Sequence, residues 1–431
     1  MRRFITSIIV AAAAVVAFAG TPQEEIAARL TRSASNHTIY PETNLPALTP
    51  APAGYEAFYI DHYGRHGSRW LTRQSSYQRP VDVLMKGHND GLLTEQGERL
   101  LVTLRQILAA SMNRAGELSD KGAEQHQRIA ERMYNNFPSV FTDGAVVDAR
   151  STVVIRCILS MQNATMTLRK LNPNLRITTD ASYHDMYYLG YGHGEDTLAN
   201  HISDEIYRHT NEMYEENVHP ERFVKQLYTI PDSLPMPVAQ RLMRDVFDIA
   251  GSLQGHHAFD NIDLFHLFTG DEIFELWRMR NIDWYTRRAN SPMNGNRMPF
   301  ITRALVRDFL DKADAAVASG EHGAALRFGH ETIVLPLACM LELDNVNLST
   351  TDLDNLHNVW KCYDIIPKAC NVQLVFYRNA SGDVLVKALF NEHEATLPVA
   401  TDMAPYYHWK DLRAYYEKKL ATEIDWSAHA E

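Results

Sequence analysis

Hydrophobic and polar positions divide the chain into stretches of different period. Tyr55–Asp61 (YEAFYID) is aromatic and apolar and runs into a turn around Gly64, the pattern of a strand ending in a loop. Leu93–Ala110 and Asp120–Phe137 repeat apolar residues at helical spacing, and Ser119 ahead of Gly122 and Glu124 reads as a capped helix start. Ala145–Ala149 predicts a short strand, Thr152–Leu171 a helix and Leu175–Thr179 another strand. From 184 to 297 the strand signal fades. That stretch is rich in Tyr, His, Met and Trp and carries amphipathic helices such as Val238–Ile249 and Asp271–Arg288. Strands return at Ala324–Phe328, Val372–Tyr377 and Val384–Phe390, the last two joined as a hairpin by Asn379–Asp383. Ile333–Leu343 predicts an apolar helix and Tyr406–Leu420 a closing one. Strand–helix alternation at both ends of a helical middle predicts an α/β fold: a sheet domain with helices on both faces, interrupted by an α-helical cap insertion.

This divides the chain into a leader at 1–19, an arm at 20–54, a first core part at 55–183, the cap at 184–297 and a second core part at 298–431. The leader reads as a secretory signal: Arg2 and Arg3, an apolar run from Phe4 to Phe18, then the small-x-small site Ala17-Phe18-Ala19. The run falls short of the roughly 20 residues of a bilayer span. The mature chain is then expected in a periplasm or outside the cell, free of the membrane once the signal is cleaved. The arm, rich in Pro and Thr, reads as irregular and superficial.

Export puts the cysteines in an oxidising space. Cys362 and Cys370 flank Pro367 and are near enough in sequence to pair, whereas Cys157 and Cys339 lie in helical runs and read as buried hydrophobes. There is no CxxC pair for zinc. Glycosylation sequons at Asn36, Asn163, Asn347 and Asn379 matter only where the producing cell glycosylates.

With 431 residues, 45% hydrophobic and 22% charged, the chain is globular in composition, and its net charge of −11 argues against nucleic acid or an anionic membrane as a partner. An anionic substrate needs a local basic pocket. Three short strings supply one. Arg65-His66-Gly67-Ser68-Arg69 follows the first strand, where open α/β sheets bind ligands. Guanidinium groups match phosphate geometrically, and a neutral imidazole between them can attack phosphorus. Arg150-Ser151-Thr152 leads to Arg156 and Ser160 at a helix start, which favours anions. Gly329-His330-Glu331-Thr332 joins a strand to a helix. There the His can bond a phosphate oxygen, and the acid, its pKa raised by the nearby dianion, can protonate a leaving alcohol. Each string also has a plainer reading: an exposed charged loop, a solvated arginine, a helix-capping acid. Together they hold a nucleophile, three guanidiniums, a second His and a proton donor.

The three strings resemble those of the histidine acid phosphatase branch of the histidine phosphatase superfamily. Arg327-Phe328-Gly329-His330-Glu331-Thr332 with Leu335-Pro336-Leu337, and His62-Tyr63-Gly64, are most similar to the multiple inositol polyphosphate phosphatases and phytases. The resemblance spans about residues 55 to 420 and implies an α/β domain with a helical cap. It makes His66 the nucleophile and Glu331 the proton donor, with Arg65, Arg69, Arg156 and His330 holding the phosphate. Arg73, Thr332 and His62 become possible further substrate contacts. The sequence departs from the family in two places. Leu71 stands where many relatives have Pro, and His330 is followed directly by Glu331, where the subgroup has His-Ala-Glu.

The expected partner is therefore a small phosphorylated substrate, inositol hexakisphosphate and its lower relatives, turned over with neither metal nor other cofactor. Arg278, Arg280, Arg287, Arg288 and Arg297, with Asn281, Tyr285 and Asn294, are the candidate cap contacts, of which one or two are expected to bind. His184, His193 and His201 fit no strong metal spacing. The alternatives are a broad-specificity acid phosphatase, a phosphomutase (disfavoured by export) and a non-catalytic binder of phosphorylated ligands.

Overall fold

The computed structural model describes residues 20–42 and 45–427; the leader lies outside them. Eight strands form one sheet: β1 (Tyr55–Arg65), β2 (Val146–Ser151), β3 (Arg176–Asp180), β4 (Gly323–Gly329), β5 (Asn371–Asn379), β6 (Val384–Phe390), β7 (His393–Ala395) and β8 (Tyr407–His408). Their order across the sheet is β3-β2-β4-β1-β5-β6-β7, with β8 beside β6. The β3-β2-β4-β1 half is parallel, and β5 and β6 continue it antiparallel.

Side chains alternate between two covered faces, as a period of two requires. On β4, Ala324, Leu326 and Phe328 enter one apolar cluster and Ala325 the other. Val375 and Tyr377 of β5 share the first cluster, while Leu374 and Phe376 share the second. Arg327 follows the Ala325 face. There its guanidinium donates to Asp61 at 2.7 Å and Asp308 at 2.7 Å. This buried pair ties β4 to β1. The resulting register sets Arg65 opposite Gly329 and Ser151 opposite Phe328, so the carboxyl ends of β1, β2 and β4 finish level.

The expected helices occur at Glu95–Ser111, Asp120–Asn136, Ile155–Leu171, Met236–Leu253, Gly270–Arg288, Glu331–Leu341 and Trp409–Leu420. β1 runs four residues past its sequence pattern because Tyr63, Gly64 and Arg65 keep pairing with β4. The sequence reading missed the helix Ser75–Asn89, which contains Pro80 and lacks a side-chain cap.

The first half of the arm is neither irregular nor superficial, a correction, whereas residues 45–54 carry no regular element and are mostly exposed, as expected. Thr21 and Glu24 form a reciprocal capping box that starts the helix Pro22–Ala28. The 3₁₀ stretch Leu30–His37 then buries Ser33 through Asn36. The thiols of Cys362 and Cys370 are free and buried, as are those of Cys157 and Cys339, so the pairing considered from sequence is not made.

The loop after β1 rests on the start of the helix Asp120–Asn136. The Ser119 hydroxyl accepts from Gly122 N at 3.1 Å, Ser119 N donates to Ser68 O at 2.9 Å, and Ser68 N donates to the Gln125 carboxamide at 2.8 Å. Only glycine fits the contact: a Cβ on Gly67 would stand 2.2 Å from Gly122 O, and one on Gly122 would stand 2.1 Å from Ser68 O. Gly122→Ala is therefore expected to lower stability in urea titration by about 1–3 kcal/mol, the usual cost of overpacking. Gly270→Ala, where a Cβ meets nothing within 4 Å, serves as the neutral comparison.

Candidate active site

The level strand ends bring the three strings together. Arg65, the last residue of β1, is wholly buried. Its Nη1 donates to the carbonyls of Asn36 (2.7 Å), Ile366 (2.9 Å) and Pro367 (3.1 Å), and its Nη2 donates to Glu331 Oε1 at 2.6 Å. His66 is fixed by its backbone: its N–H donates to Gly329 O and its carbonyl accepts from Ala369 N. Its Nδ1 lies 2.8 Å from Gly67 O. A carbonyl only accepts, so Nδ1 carries the proton and Nε2 keeps a free lone pair. Gly67 N donates to Ser160 Oγ at 3.2 Å, which ties this loop to the helix that bears Arg156.

Arg156 Nη2 lies 3.5 Å from His330 Nε2, and the His66 and His330 rings meet edge to face at 5.4 Å. Arg69 donates one bond, to Trp70 O. The Nε atoms of Arg65, Arg69 and Arg156 are buried without a protein partner. The corner thus holds excess positive charge and unpaired donors, an arrangement suited to an anion. Burial, with the charges of Arg156 and Arg65, holds the His66 imidazole well below its usual value and so neutral. Burial likewise pushes His330 down to about 4 and Arg69 down to about 10.

Glu331 opens the helix after β4. Besides Arg65 it accepts from Asn36 Nδ2 at 2.8 Å. Burial alone would raise its pKa, but the neighbouring positive charge, that of Arg65 first, outweighs burial and holds it far below the carboxylate range. The sequence-based expectation of a raised carboxyl applies to a site that holds a phosphate dianion. In the substrate-free site the neighbours are cations, and the ionised form prevails.

The other candidates are dispersed. Arg73 is exposed and Thr332 is half-buried one residue beyond Glu331. His62, considered as a substrate contact, is instead packed against Phe328 and is only 3% exposed, its pKa pushed down to about 3 by burial. The cap arginines are mostly held elsewhere: Arg278 by Glu275, Arg287 by Asp283, Arg288 by Tyr191 and Ser203, and Arg297 by the Asn294 and Asp425 carbonyls. Asn281, Tyr285 and Asn294 bond backbone carbonyls.

Arg280 bonds Asp248 and lines a cavity of about 310 Å³, with Arg79, Arg241, Arg244, Asn36 and His37 among its walls. Asn36 joins this cavity to Glu331. The three cap histidines do not converge. Among the described residues, the group that could hold a cation is Asp180, His184 and Asp185, and Arg150 already donates to Asp180 (3.1 Å) and Asp185 (2.9 Å).

Sequence reasoning missed Asn36, His37 and Lys368, which come from the arm and from the loop before β5. Asn36 carried a signal of another kind, a sequon, yet its side chain is 6% exposed and committed to Glu331.

Sheet order, helical cap and the pocket at the strand ends together define a histidine-phosphatase fold. The sequence itself matches no family model and no curated relative. Among solved structures, the multiple inositol polyphosphate phosphatase of Bifidobacterium longum in complex with inositol hexasulfate is similar, with a TM-score of 0.73 at 19% identity over 89% of this chain and 97% of that one. The phytase from D. castellii follows at 0.66 and 13% identity over 91% and 86%. The Hafnia alvei phytase gives 0.50 at 14% over 86% and 98%. The chain has the fold of these phosphatases.

The Arg65–Glu331 pair makes stability depend on pH in a set direction. A carboxylate depressed in the folded state stabilises it above the unfolded value, near 4.5, and that contribution is lost as pH falls below it. The difference in melting temperature between wild type and Glu331→Gln is expected to be widest above pH 5 and to narrow on acidification. A constant difference from pH 3 to pH 7 would contradict the charge argument.

Proposed function

We propose that the protein is an exported phosphomonoesterase that dephosphorylates inositol hexakisphosphate and lower inositol polyphosphates through a phosphohistidine on His66. One observation carries the reading: a neutral imidazole, its proton tied to Gly67 O, presents Nε2 among guanidiniums with unpaired donors. The inositol class is supported by the likeness to the B. longum enzyme and by the arginine-lined cavity beside Asn36. Export rests on the leader. Among the described residues no helix is long and apolar enough to cross a membrane.

In this reading His66 Nε2 attacks phosphorus, and the bond between phosphorus and the ester oxygen breaks. The leaving oxygen takes its electron pair and is protonated by Glu331. Arg65, Arg69, Arg156 and His330 hold the phosphoryl oxygens as charge shifts onto them. Water then attacks the phosphoenzyme and gives a proton to the Glu331 carboxylate, and the P–N electron pair returns to Nε2. Because the free site holds Glu331 ionised, its proton arrives with the substrate, as the monoanion of the phosphate ester. Arg73 and Thr332 are the residues this reading assigns to a neighbouring phosphate of the same substrate. No metal enters the scheme.

Phosphate release from inositol hexakisphosphate in EDTA is the test. His66→Ala is expected to abolish it. Glu331→Gln is expected to lower it by about 10²–10⁴ while affecting an aryl phosphate far less, since an aryl oxide leaves without a proton. Because His66 is already neutral at acidic pH, kcat/KM is expected to fall only as pH rises through the ester's second ionisation, near about 6. Full turnover by a folded His66→Ala variant would sink the mechanism. Release from the aryl phosphate alone would favour a broad acid phosphatase, and release from neither would favour a binding protein.

A further inference from the structure

Lys368 lies on the 366–370 segment that wraps the end of β1, and that segment is fastened on every side. Ile366 and Pro367 carbonyls accept from Arg65, Lys368 N donates to Thr38 O, Ala369 N donates to His66 O, and Cys370 O accepts from Arg65 N. Ala369 even adopts a left-handed φ of 58°, a conformation that residues with a Cβ seldom take. The side chain that this backbone holds in place is 2% exposed, and its Nζ has no hydrogen-bond partner.

The contrast with Lys387 is instructive. That lysine is equally buried, but its Nζ donates to Thr49 O at 2.7 Å and to Glu394 at 2.9 Å. The titratable groups that share an electrostatic interaction with Lys368 are Arg65, Arg69, Arg156 and Glu331, with His37 from the arm, His256 from the cap and Cys370 at the end of its own segment. One carboxylate stands against three guanidiniums, and that carboxylate already has two donors. An ammonium without partners is costly in such a place unless a further anion arrives.

We propose that Lys368 is a phosphate-binding residue of this site, a fourth cation beside Arg65, Arg69 and Arg156. The proposal rests on the phosphatase reading above and deepens it. In the free site, burial and the surrounding guanidiniums hold the amine well below the ordinary lysine value and favour its neutral form. A phosphate dianion reverses that field. The amine then takes a proton from solvent and donates to phosphate as an ammonium. When product phosphate leaves, the proton returns to solvent. Binding is therefore coupled to proton uptake, and the empty site is spared a fourth fixed charge.

The experiment is calorimetric titration of inorganic phosphate into the full-length protein at pH 8.5, in two buffers of different ionisation enthalpy. At that pH phosphate is the dianion and Glu331 is ionised. Wild type is expected to take up close to one proton. Lys368→Met is expected to take up none and to bind about tenfold or more weakly, the loss of one charge-assisted hydrogen bond. Lys368→Arg is expected to bind without proton uptake.

Melting reports folding separately. Lys368→Met removes a group that must shed a proton to be buried, so it is expected to melt at or above wild type. Binding by Lys368→Met within twofold of wild type, with the same proton uptake, would overturn the proposal. So would uptake that vanishes in Glu331→Gln but persists in Lys368→Met, and so would a wild type that binds no phosphate. Coupled phosphate binding without hydrolysis of any monoester would leave Lys368 as assigned and refute the phosphatase reading instead.

Discussion

Positive charge is buried in excess at the carboxyl ends of the central strands, and the surrounding structure is organised to hold it there. Arg65, Arg69 and Arg156 stand around a single carboxylate, Glu331, with the buried amine of Lys368 beside them. Two like charges about 6 Å apart repel by roughly 3 kcal/mol at an effective dielectric of about 20, so such a group does not assemble unaided. Arg65 is held by three backbone carbonyls as well as by Glu331. Those carbonyls come from the arm and from the loop before β5, so distant parts of the chain are bound into one corner. The Arg327 pair fixes the β1–β4 register that brings His66 and His330 level. The Gly67–Gly122 contact lets the loop lie flat against its supporting helix.

The same excess charge shapes the chemistry available to the two reactive groups. Burial and, after it, this charge keep His66 neutral, and the Gly67 carbonyl then decides which nitrogen is free. The charge also keeps Glu331 ionised, which is the wrong state for a proton donor and the right one for an ion pair. These are two halves of one resting state. On the phosphatase reading proposed above, an incoming phosphate would compete with Glu331 for Arg65 and, as a monoanion, would bring the proton that Glu331 lacks.

How far the sequence foretold this depends on where each residue lies. His66, Arg65, Arg69, Arg156, His330 and Glu331 sit in short strings at strand-to-loop or strand-to-helix junctions, and alternation of period marks those junctions. Parallel pairing of β2, β4 and β1 does the rest. Asn36 and Lys368 belong to no string. Asn36 meets Glu331 across 295 positions of chain, and no local pattern encodes such a contact. The capping box at Thr21 and Glu24 was legible and was the sign that the arm is ordered. His62 misled because it adjoins the His66 string, although its ring packs on the Phe328 face. Which of the cap arginines stay open could not be read from sequence, because an amphipathic helix shows its charges but not their partners; most are paired with neighbouring acids, hydroxyls or carbonyls, and Arg280 lines the cavity.

Glu331 also bears on the missing residue between His330 and the acid. With no spacer, the acid is the first residue of its helix, directly beyond the His330 N-cap. A short side chain there would have to reach both Arg65 and the leaving oxygen from a fixed backbone. Glutamate has one methylene more than aspartate, and its carboxylate reaches Arg65 at 2.6 Å while Asn36 holds the same oxygen at 2.8 Å. Both bonds fall on Oε1, so Oε2 is the oxygen left free of these two donors. The arm therefore does more than cover the pocket. By taking up one oxygen together with Arg65, Asn36 orients the carboxylate, and on the proposed mechanism that would make the arm part of the geometry of proton transfer.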